Sequence, residues 1–401
     1  MITIDEALQL LFEKAMPITE SETISLMEAR HRVLSQTQQA LVDVPNADAS
    51  AMDGYAIRGG DLQAQTEFVI SQRIPAGHPP QTLQPKTAAR IFTGSEIPPG
   101  ADTVVIQENC VAEGDKVKII QPPTIGANIR RRGQDIKCQT EMFAPGHLLL
   151  PQDLGMLASV GIATIPVIRK IKVAILSTGD ELVEPGSFLG PGKIFNSNRF
   201  ALKGLLDSIN ADVIDCGNIG DDLQGTEEAL RKASELADVV ITTGGVSVGE
   251  EDHVKDAVSN LGQLNLWKLK IKPGKPLAFG QLQCSNKTAA FFGLPGNPVA
   301  VFVTFLILVR PFLLLCQGRS QVSAKLETQR LPTNFSITST HSRQEYIRVR
   351  IDNGKLSLFR SQDSGVLSST SWANALAVIP ADTIVNDGDL LETISYDQFG
   401  L

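Results

Sequence analysis

The order of apolar and polar positions changes character several times along the chain. MITIDEALQLLFEKAM has apolar residues at helical spacing, broken by Asp5, Glu6, Glu13 and Lys14, which is the pattern of an amphipathic helix. A second helix is predicted over SETISLMEARHRVL, after a break at Pro17 and with Ser21 or Thr23 as its cap. Helical spacing then stops, and residues 45–137 carry short β-rich runs such as EFVISQRI between Gly and Pro clusters, the pattern of a β-rich module. PQDLGMLASVG returns to helical spacing, so residues 1–44 plus 138–170 are expected to form a helical linker domain with 45–137 inserted in it.

Residues 171–318 alternate in another way. KVAILS, ADVIDCG, DVVITT, LWKLKI and AAFFGL read as strands, with helices over SNRFALKGLLDSI, GTEEALRKASELA and DHVKDAVSNL and a last one from Asn297. Such alternation predicts an α/β domain, a mainly parallel sheet with helices on both faces. Residues 323–401 return to short alternating strands, with a hairpin turn at Asn353-Gly354, and predict a small C-terminal β domain. The apolar run VAVFVTFLILV meets Arg310 and Pro311 after eleven residues. That is well short of the roughly 20 needed to span a bilayer, so it reads as a buried core helix.

With 401 residues, several domains are expected. The 44 acidic against 36 basic residues, net charge −8, argue against a nucleic-acid surface and confine any basic site to a local patch. The five cysteines contain no CxxC pair, and the N-terminus lacks the basic start and uncharged apolar centre of a signal peptide. A cytoplasmic protein, not bound to membrane, is expected.

In an open parallel sheet, ligands lie beyond the carboxyl ends of the strands. Three loops are expected on that rim: Thr178-Gly179-Asp180-Glu181, then Gly244-Gly245-Val246-Ser247-Val248-Gly249, then Pro295-Gly296-Asn297-Pro298, which opens a long helix. Glycines admit a ligand to the backbone, and the helix start favours an anion such as phosphate. Lys272 and Lys275 flank Pro273-Gly274; they are either two solvated cations or a pair kept together for an anionic guest. Glu181, Asp221, Asp222 and Asp252 are either hard oxygen ligands for a magnesium-bound phosphate or helix caps. In the β-rich module, NADASAMDGYAIR and RIFTGSEIPPGAD carry more polar groups than turns require. Arg130, Arg131 and Arg132 read as a solvated face or an ion-pair set.

Eight stretches stand together in one order: SAMDGYA, FTGSEIPPGADTVV, RRGQDIK, STGDELVEPG, GKIFNSN, TTGGVSVGEED, KPGKPLAFG and GLPGNPVAVF. Over essentially the whole chain they resemble the MoeA-type molybdopterin molybdenumtransferases, whose eukaryotic counterparts include the E domain of gephyrin. The resemblance implies the last step of molybdenum cofactor synthesis: adenylylated molybdopterin and molybdate are bound, the metal enters the dithiolene, and AMP is released with Mg2+ assisting. It also implies a central domain like the single-domain molybdopterin adenylyltransferases, a barrel-like C-terminal domain, and a homodimer whose active site is shared between subunits. The adenylyltransferase and acceptor molybdoenzymes would be further partners.

Residue by residue, the resemblance assigns Lys272, Lys275, Ser247 and the backbone around Pro276 to an oxyanion pocket, which Arg348 and the Ser368-Ser369 pair would complete. Its carboxylates fall on Asp53, Asp135, Glu181, Asp221 and Asp252, with Thr93 beside them; Glu181, Asp221 and Asp252 would hold the metal. Thr178, Gly179, Gly244, Gly245, Gly249, Pro295, Gly296 and Asn297 would cradle the substrate. This chain departs from the family at Glu250-Glu251, Ser95 and Asn196. Two other readings stand beside the transferase, a molybdopterin adenylyltransferase and a gephyrin-like scaffold without catalysis. A nucleotide-dependent dehydrogenase is excluded by the lack of GxGxxG after the first α/β strand.

Overall fold

The computed structural model describes residues 1–220, 222–245, 253–284 and 287–401. The chain divides into two compact units, residues 1–22, 31–33 and 167–401 in the first, residues 23–30 and 34–166 in the second.

The first unit is built on a six-stranded sheet. Its strands are β1 (Lys172–Thr178), β2 (Asp212–Ile219), β3 (Val239–Thr243), β4 (Gly262–Lys268), β6 (Pro276–Gln283) and β7 (Thr288–Leu294), in the order β2-β1-β3-β7-β6-β4. β1 runs parallel to β2 and β3, and β3 parallel to β7; β6 is antiparallel to both β7 and β4. The sheet is therefore parallel across its centre, as the alternation predicts, with an antiparallel pair at one side. Register decides where the loops emerge, because Ser177 lies beside Thr243 and Thr243 beside Leu294, so β1, β3 and β7 end at one rim.

One cluster of buried residues on this sheet takes in the long helix Pro298–Cys316, 94% buried. Among the described residues it is the one helix apolar and long enough to cross a membrane, and it is the core helix that the sequence predicts. Pro311 has no N–H for the carbonyl one turn before it, and the helix widens into a π turn over Phe305–Val309 just ahead of it. Phe312 stands on this helix with its ring edge-on to Phe279 of β6 and Phe292 of β7 at 5.7 and 5.1 Å.

The N-terminal helix α1 (Ile4–Lys14) begins with a reciprocal cap: Glu6 N donates to Thr3 Oγ1 and Thr3 N to Glu6 Oε2. Its buried face, Ile4, Ala7 and Leu11, joins the core of the α/β sheet. The expected second helix is a correction. Ser21–Ser25 is extended, Leu26–Glu28 makes a single turn, and His31 is left-handed at φ 60°, a conformation that cannot continue a right-handed helix. The helical character expected of 1–44 plus 138–170 thus holds for α1 and Pro151–Ser159, while Glu141–Phe143 and Thr164–Ile168 are strands.

A second sheet in the first unit comes from the C-terminal residues. It contains β8 (Gln329–Pro332), β9 (Gln344–Asp352), β10 (Lys355–Leu358), β11 (Ala375–Ile379) and β12 (Leu390–Ser395), with β9 and β10 joined at Asn353-Gly354 as expected. At its edge lies a two-residue strand from the α/β region, β5 (Ile271–Lys272), parallel to the start of β9.

The second unit centres on a six-stranded sheet in the order Thr103–Ile106, Gly54–Ile57, Thr87–Ile91, Glu67–Ile74, Lys116–Ile119, Cys110–Glu113. Tyr55 and Ile57 enter one hydrophobic cluster and Ala56 another, the period-2 alternation of a strand buried on both faces. Gly54 admits no side chain, since a Cβ there would lie 1.9 Å from the Val105 carbonyl oxygen.

Phe312 is 1% exposed, and Phe312→Ala is expected to lower stability by about 3–5 kcal/mol through the cavity it leaves. Urea denaturation against the unaltered protein measures this.

Candidate functional site

A cavity of about 570 Å³ opens where the rim of the α/β sheet faces the start of the C-terminal domain, within the first unit. Gly244 and Gly245 come from the end of β3, Pro295, Gly296 and Asn297 from the end of β7, and Lys272 to Pro276 from the turn between β5 and β6. Arg343, Gln362, Asp363 and Ser364 come from the C-terminal domain. Both lysines of KPGKP therefore share one pocket with the glycine turn.

The geometry of each wall follows from its sequence. Gly244 and Gly245 are left-handed, at φ 87° and 65°. A Cβ on Gly244 would lie 2.8 Å from the Thr178 carbonyl oxygen, and one on Gly245 would lie 2.5 Å from Val254 Cγ2, so glycine is needed twice over. Thr178 is buried, and its hydroxyl reaches the Thr243 carbonyl oxygen at 3.5 Å, so the first two loops brace each other. Gly296 is held through its carbonyl oxygen by Asn198 Nδ2 at 2.8 Å. Asn297 does not cap its own helix; its Nδ2 donates to Ser364 Oγ at 3.0 Å, and Val299 N donates to the Ser364 carbonyl. The 362–364 loop is thereby docked on the helix start.

The lysine turn is pinned on every side. Ile2 pairs with the backbone at Lys268 and Lys270, and Leu269 N donates to the Lys275 carbonyl oxygen at 2.7 Å. Gly274, at φ 98°, packs so closely on the long helix that a Cβ would sit 2.4 Å from Thr304 Cγ2. Arg343 Nη1 donates to the Ile271 carbonyl oxygen at 3.0 Å.

The structure separates the residues assigned by resemblance into groups. Lys272, Lys275, Pro276, Gly244, Gly245, Pro295, Gly296 and Asn297 line the cavity. Thr178 and Gly179 stand behind it at the end of β1, and the exposed Glu181 folds back over its own turn, its Oε2 2.5 Å from where a Gly179 Cβ would be. Asp221, Ser247, Gly249 and Asp252 lie outside the described residues. Asp222 takes the role of helix cap, accepting from Gly225 N at 2.7 Å.

Arg348 does not line the cavity. It is 1% exposed, and its Nε donates to Ser369 Oγ at 3.1 Å and its Nη2 to the Asp363 carbonyl oxygen at 3.1 Å. Its backbone N–H is taken by Gln362 Oε1 at 2.8 Å. Burial pushes its guanidinium down to about 10, so it remains a cation at neutral pH. Arg348 thus supports the 362–364 wall from behind. Of the serine pair, Ser369 is buried and paired with Arg348, whereas Ser368 is exposed.

Arg343 and Ser364 were missed by sequence reasoning although both line the cavity. The signal was available in part: SQDSG has the Ser, Asp and Gly of a structured loop. Nothing in HSRQEYIRVR marks which arginine reaches the pocket.

In the second unit, Asp53 accepts from both Thr93 N at 2.7 Å and Thr93 Oγ1 at 2.8 Å, so the two polar loops of the β-rich module meet. The backbone and hydroxyl donors of Thr93 hold the Asp53 carboxyl below its usual range. Asp135 is exposed on the following loop, where Arg131 pairs with Asp48 and Arg132 with Asp43. Arg131 and Arg132 are thus an ion-pair set.

Family profiles described as "MoeA N-terminal region (domain I and II)", "Probable molybdopterin binding domain" and "MoeA C-terminal region (domain IV)" match residues 2–161, 174–314 and 330–396. A molybdopterin molybdenumtransferase from Haemophilus influenzae is 42% identical over 342 residues, covering 85% of this chain and 82% of that protein. The chain belongs to the molybdopterin molybdenumtransferase family. A second such relative, from Nostoc, is 34% identical over 92% of this chain and 87% of its own. The crystal structure of the molybdopterin biosynthesis moeA protein from Pyrococcus horikoshii OT3 superposes with a TM-score of 0.83 at 31% identity, covering 99% of this chain and 100% of that one. The similarity therefore spans both units and the C-terminal domain.

Ser369→Ala is expected to destabilise the protein by about 1–3 kcal/mol, because it strips a hydrogen bond from a buried guanidinium. Ser368→Ala should stay within about 0.5 kcal/mol, as surface changes do. Equal effects in chemical denaturation would contradict this division between the two serines.

Proposed function

We infer that this chain inserts molybdenum into adenylylated molybdopterin and releases AMP, the final step of molybdenum cofactor synthesis, and that the cavity at the 272–276 turn receives the molybdate. One observation carries the reading: Lys272, Lys275 and Arg343 stand around a single cavity whose wall also takes in the glycine turns at Gly244-Gly245 and Pro295-Gly296, against one acid, Asp363. Cations kept together in this way favour a compact oxyanion, and backbone without side chains admits it closely.

The chemistry asked of the protein is mainly positional. Lys275 and Arg343 neutralise the entering oxyanion, Gly244 and Gly245 let the phosphate end of the nucleotide approach the strand tip, and the start of the long helix adds a favourable dipole. Molybdate is substrate here, held for transfer to the dithiolene sulfurs and not by protein cysteines, which are scattered over both units.

Mg2+ is proposed as the cofactor. Among the described residues there is no cluster of three or more candidate metal ligands, and of the three proposed, only Glu181 is described. Glu181 fits as one oxygen donor: it is exposed beside the rim, and among the described residues its side chain makes no ion pair. When bound, the ion would polarise the pyrophosphate and ease departure of AMP. Asp221 and Asp252 are proposed to complete its ligands, and Ser247 and Gly249 to complete the cradle. Arg348, Ser368 and Ser369 enter the proposal through the wall that Arg348 supports.

A homodimer is proposed as the active form, with Asp53, Thr93 and Asp135 serving the pocket of the partner copy. The support is that Asp53 and Thr93 form a polar pair where two loops carrying more polar groups than turns require come together. A cytoplasmic location, and contacts with the adenylyltransferase and acceptor molybdoenzymes, belong to the same proposal.

Purified protein given adenylylated molybdopterin, Mg2+ and molybdate should release AMP in proportion to molybdate. Lys275→Ala should cut that rate by about a hundredfold with an unchanged unfolding midpoint, the scale for losing one charge-stabilising donor. ATP consumption with free molybdopterin, and no molybdate-dependent AMP, would show an adenylyltransferase instead; activity untouched by Lys275→Ala would move the site elsewhere.

A further inference from the structure

The two lysines of the pocket are not equivalent. Among the described residues Lys275 Nζ makes no hydrogen bond or ion pair, whereas Lys272 Nζ lies 3.1 Å from Glu345 Oε2 and 2.9 Å from His341 Nε2. An ammonium only donates, so in this contact Nε2 is the acceptor. Glu345 Oε1 is 3.7 Å from Nε2, beyond hydrogen-bonding reach, so carboxylate and imidazole each hold the ammonium separately.

This arrangement is built into the fold. In the β5–β9 pairing Lys272 stands opposite Glu345, and Gln344 N donates to the Lys270 carbonyl oxygen. His341 is anchored from the far side by Asp382 N, which donates to its carbonyl oxygen at 2.7 Å. The Glu345 side chain is only 13% exposed, so its charge is weakly screened by solvent. Neither residue lines the cavity; both reach it only through Lys272.

We propose that Glu345, together with His341, is a positioning residue of the oxyanion pocket. It fixes the Lys272 ammonium at one point of the wall and lowers the positive charge that Lys272 presents. Lys275 and Arg343 then carry most of the guest's charge. With Lys272 uncompensated as well, the pocket would grip molybdate more tightly before reaction, and tight ground-state binding adds nothing to the rate of transfer. The proposal rests on reading the cavity as an oxyanion site.

Two readouts test it on the full-length protein, steady-state AMP release against molybdate and calorimetric titration with sodium molybdate alone. Glu345→Gln keeps an acceptor oxygen and removes the charge. It should lower both KM and Kd for molybdate about three- to tenfold, the scale of one partly screened charge, with kcat changed less than about twofold. Glu345→Ala removes acceptor and charge together and should cut kcat/KM by about tenfold or more.

In a Lys272→Ala background the same Glu345→Ala change should cost less than about twofold, as expected of a residue that acts through its partner. His341→Ala should lower kcat/KM in the unaltered protein and lose that effect in the Lys272→Ala background. An equal cost with and without Lys272, or a KM that rises in Glu345→Gln, overturns the proposal. Should Glu345→Ala fail to fold, Glu345→Gln decides alone. Wild-type protein that binds molybdate yet releases no AMP would overturn the transferase reading and leave this one to be judged on Kd; wild-type protein that binds none overturns both.

Discussion

The site depends on a short piece of parallel pairing, β5 beside the start of β9. Two lysines three residues apart repel each other, and a free turn would let them swing into water. Here the turn is tied to Ile2 on one side, closed on itself by Leu269 and Lys275, pressed on the long helix at Gly274, and paired with the C-terminal sheet. The same pairing brings Arg343 to the cavity and Glu345 to Lys272. Charge placement in the pocket is thus set by backbone hydrogen bonds, which are indifferent to the charge they position.

The opposite wall obeys a second constraint, the register of the parallel strands. Because β1, β3 and β7 end level, their loops must share one rim, and the left-handed glycines let those loops pack on one another without side chains between them. The buried helix Pro298–Cys316 ties both walls together, since its first turn docks the 362–364 loop and its Thr304 receives Gly274. Arg348 acts from beneath as a buried cation satisfied by carbonyls and a hydroxyl, the price of which is a depressed proton affinity.

Much of the fold could be read from the chain because burial has a period. Strands with both faces covered show unbroken apolar runs, as in DVVITT and KVAILS, and amphipathic helices show a stripe, as in α1. The stretch 21–34 misled for a physical reason: its composition tolerates a helix, yet its backbone groups pair with distant segments, Leu26 with Ala163 and Leu34 with His147. Long-range pairing of this kind leaves no local trace.

The sequence by itself determined the alternation of strand and helix, the loops at the strand ends, the lysine pair and the family, because each is written in contiguous residue types. Only the tertiary structure decided which side chains meet. It chose Arg343 over Arg348 for the cavity wall, gave Ser369 and not Ser368 the buried partner, made Asp222 a cap, and set Glu345 and His341 on Lys272. Apart from the Asp222 cap, which is local to its helix start, those choices depend on strand register at β9, where a shift of one residue turns a side chain to the opposite face.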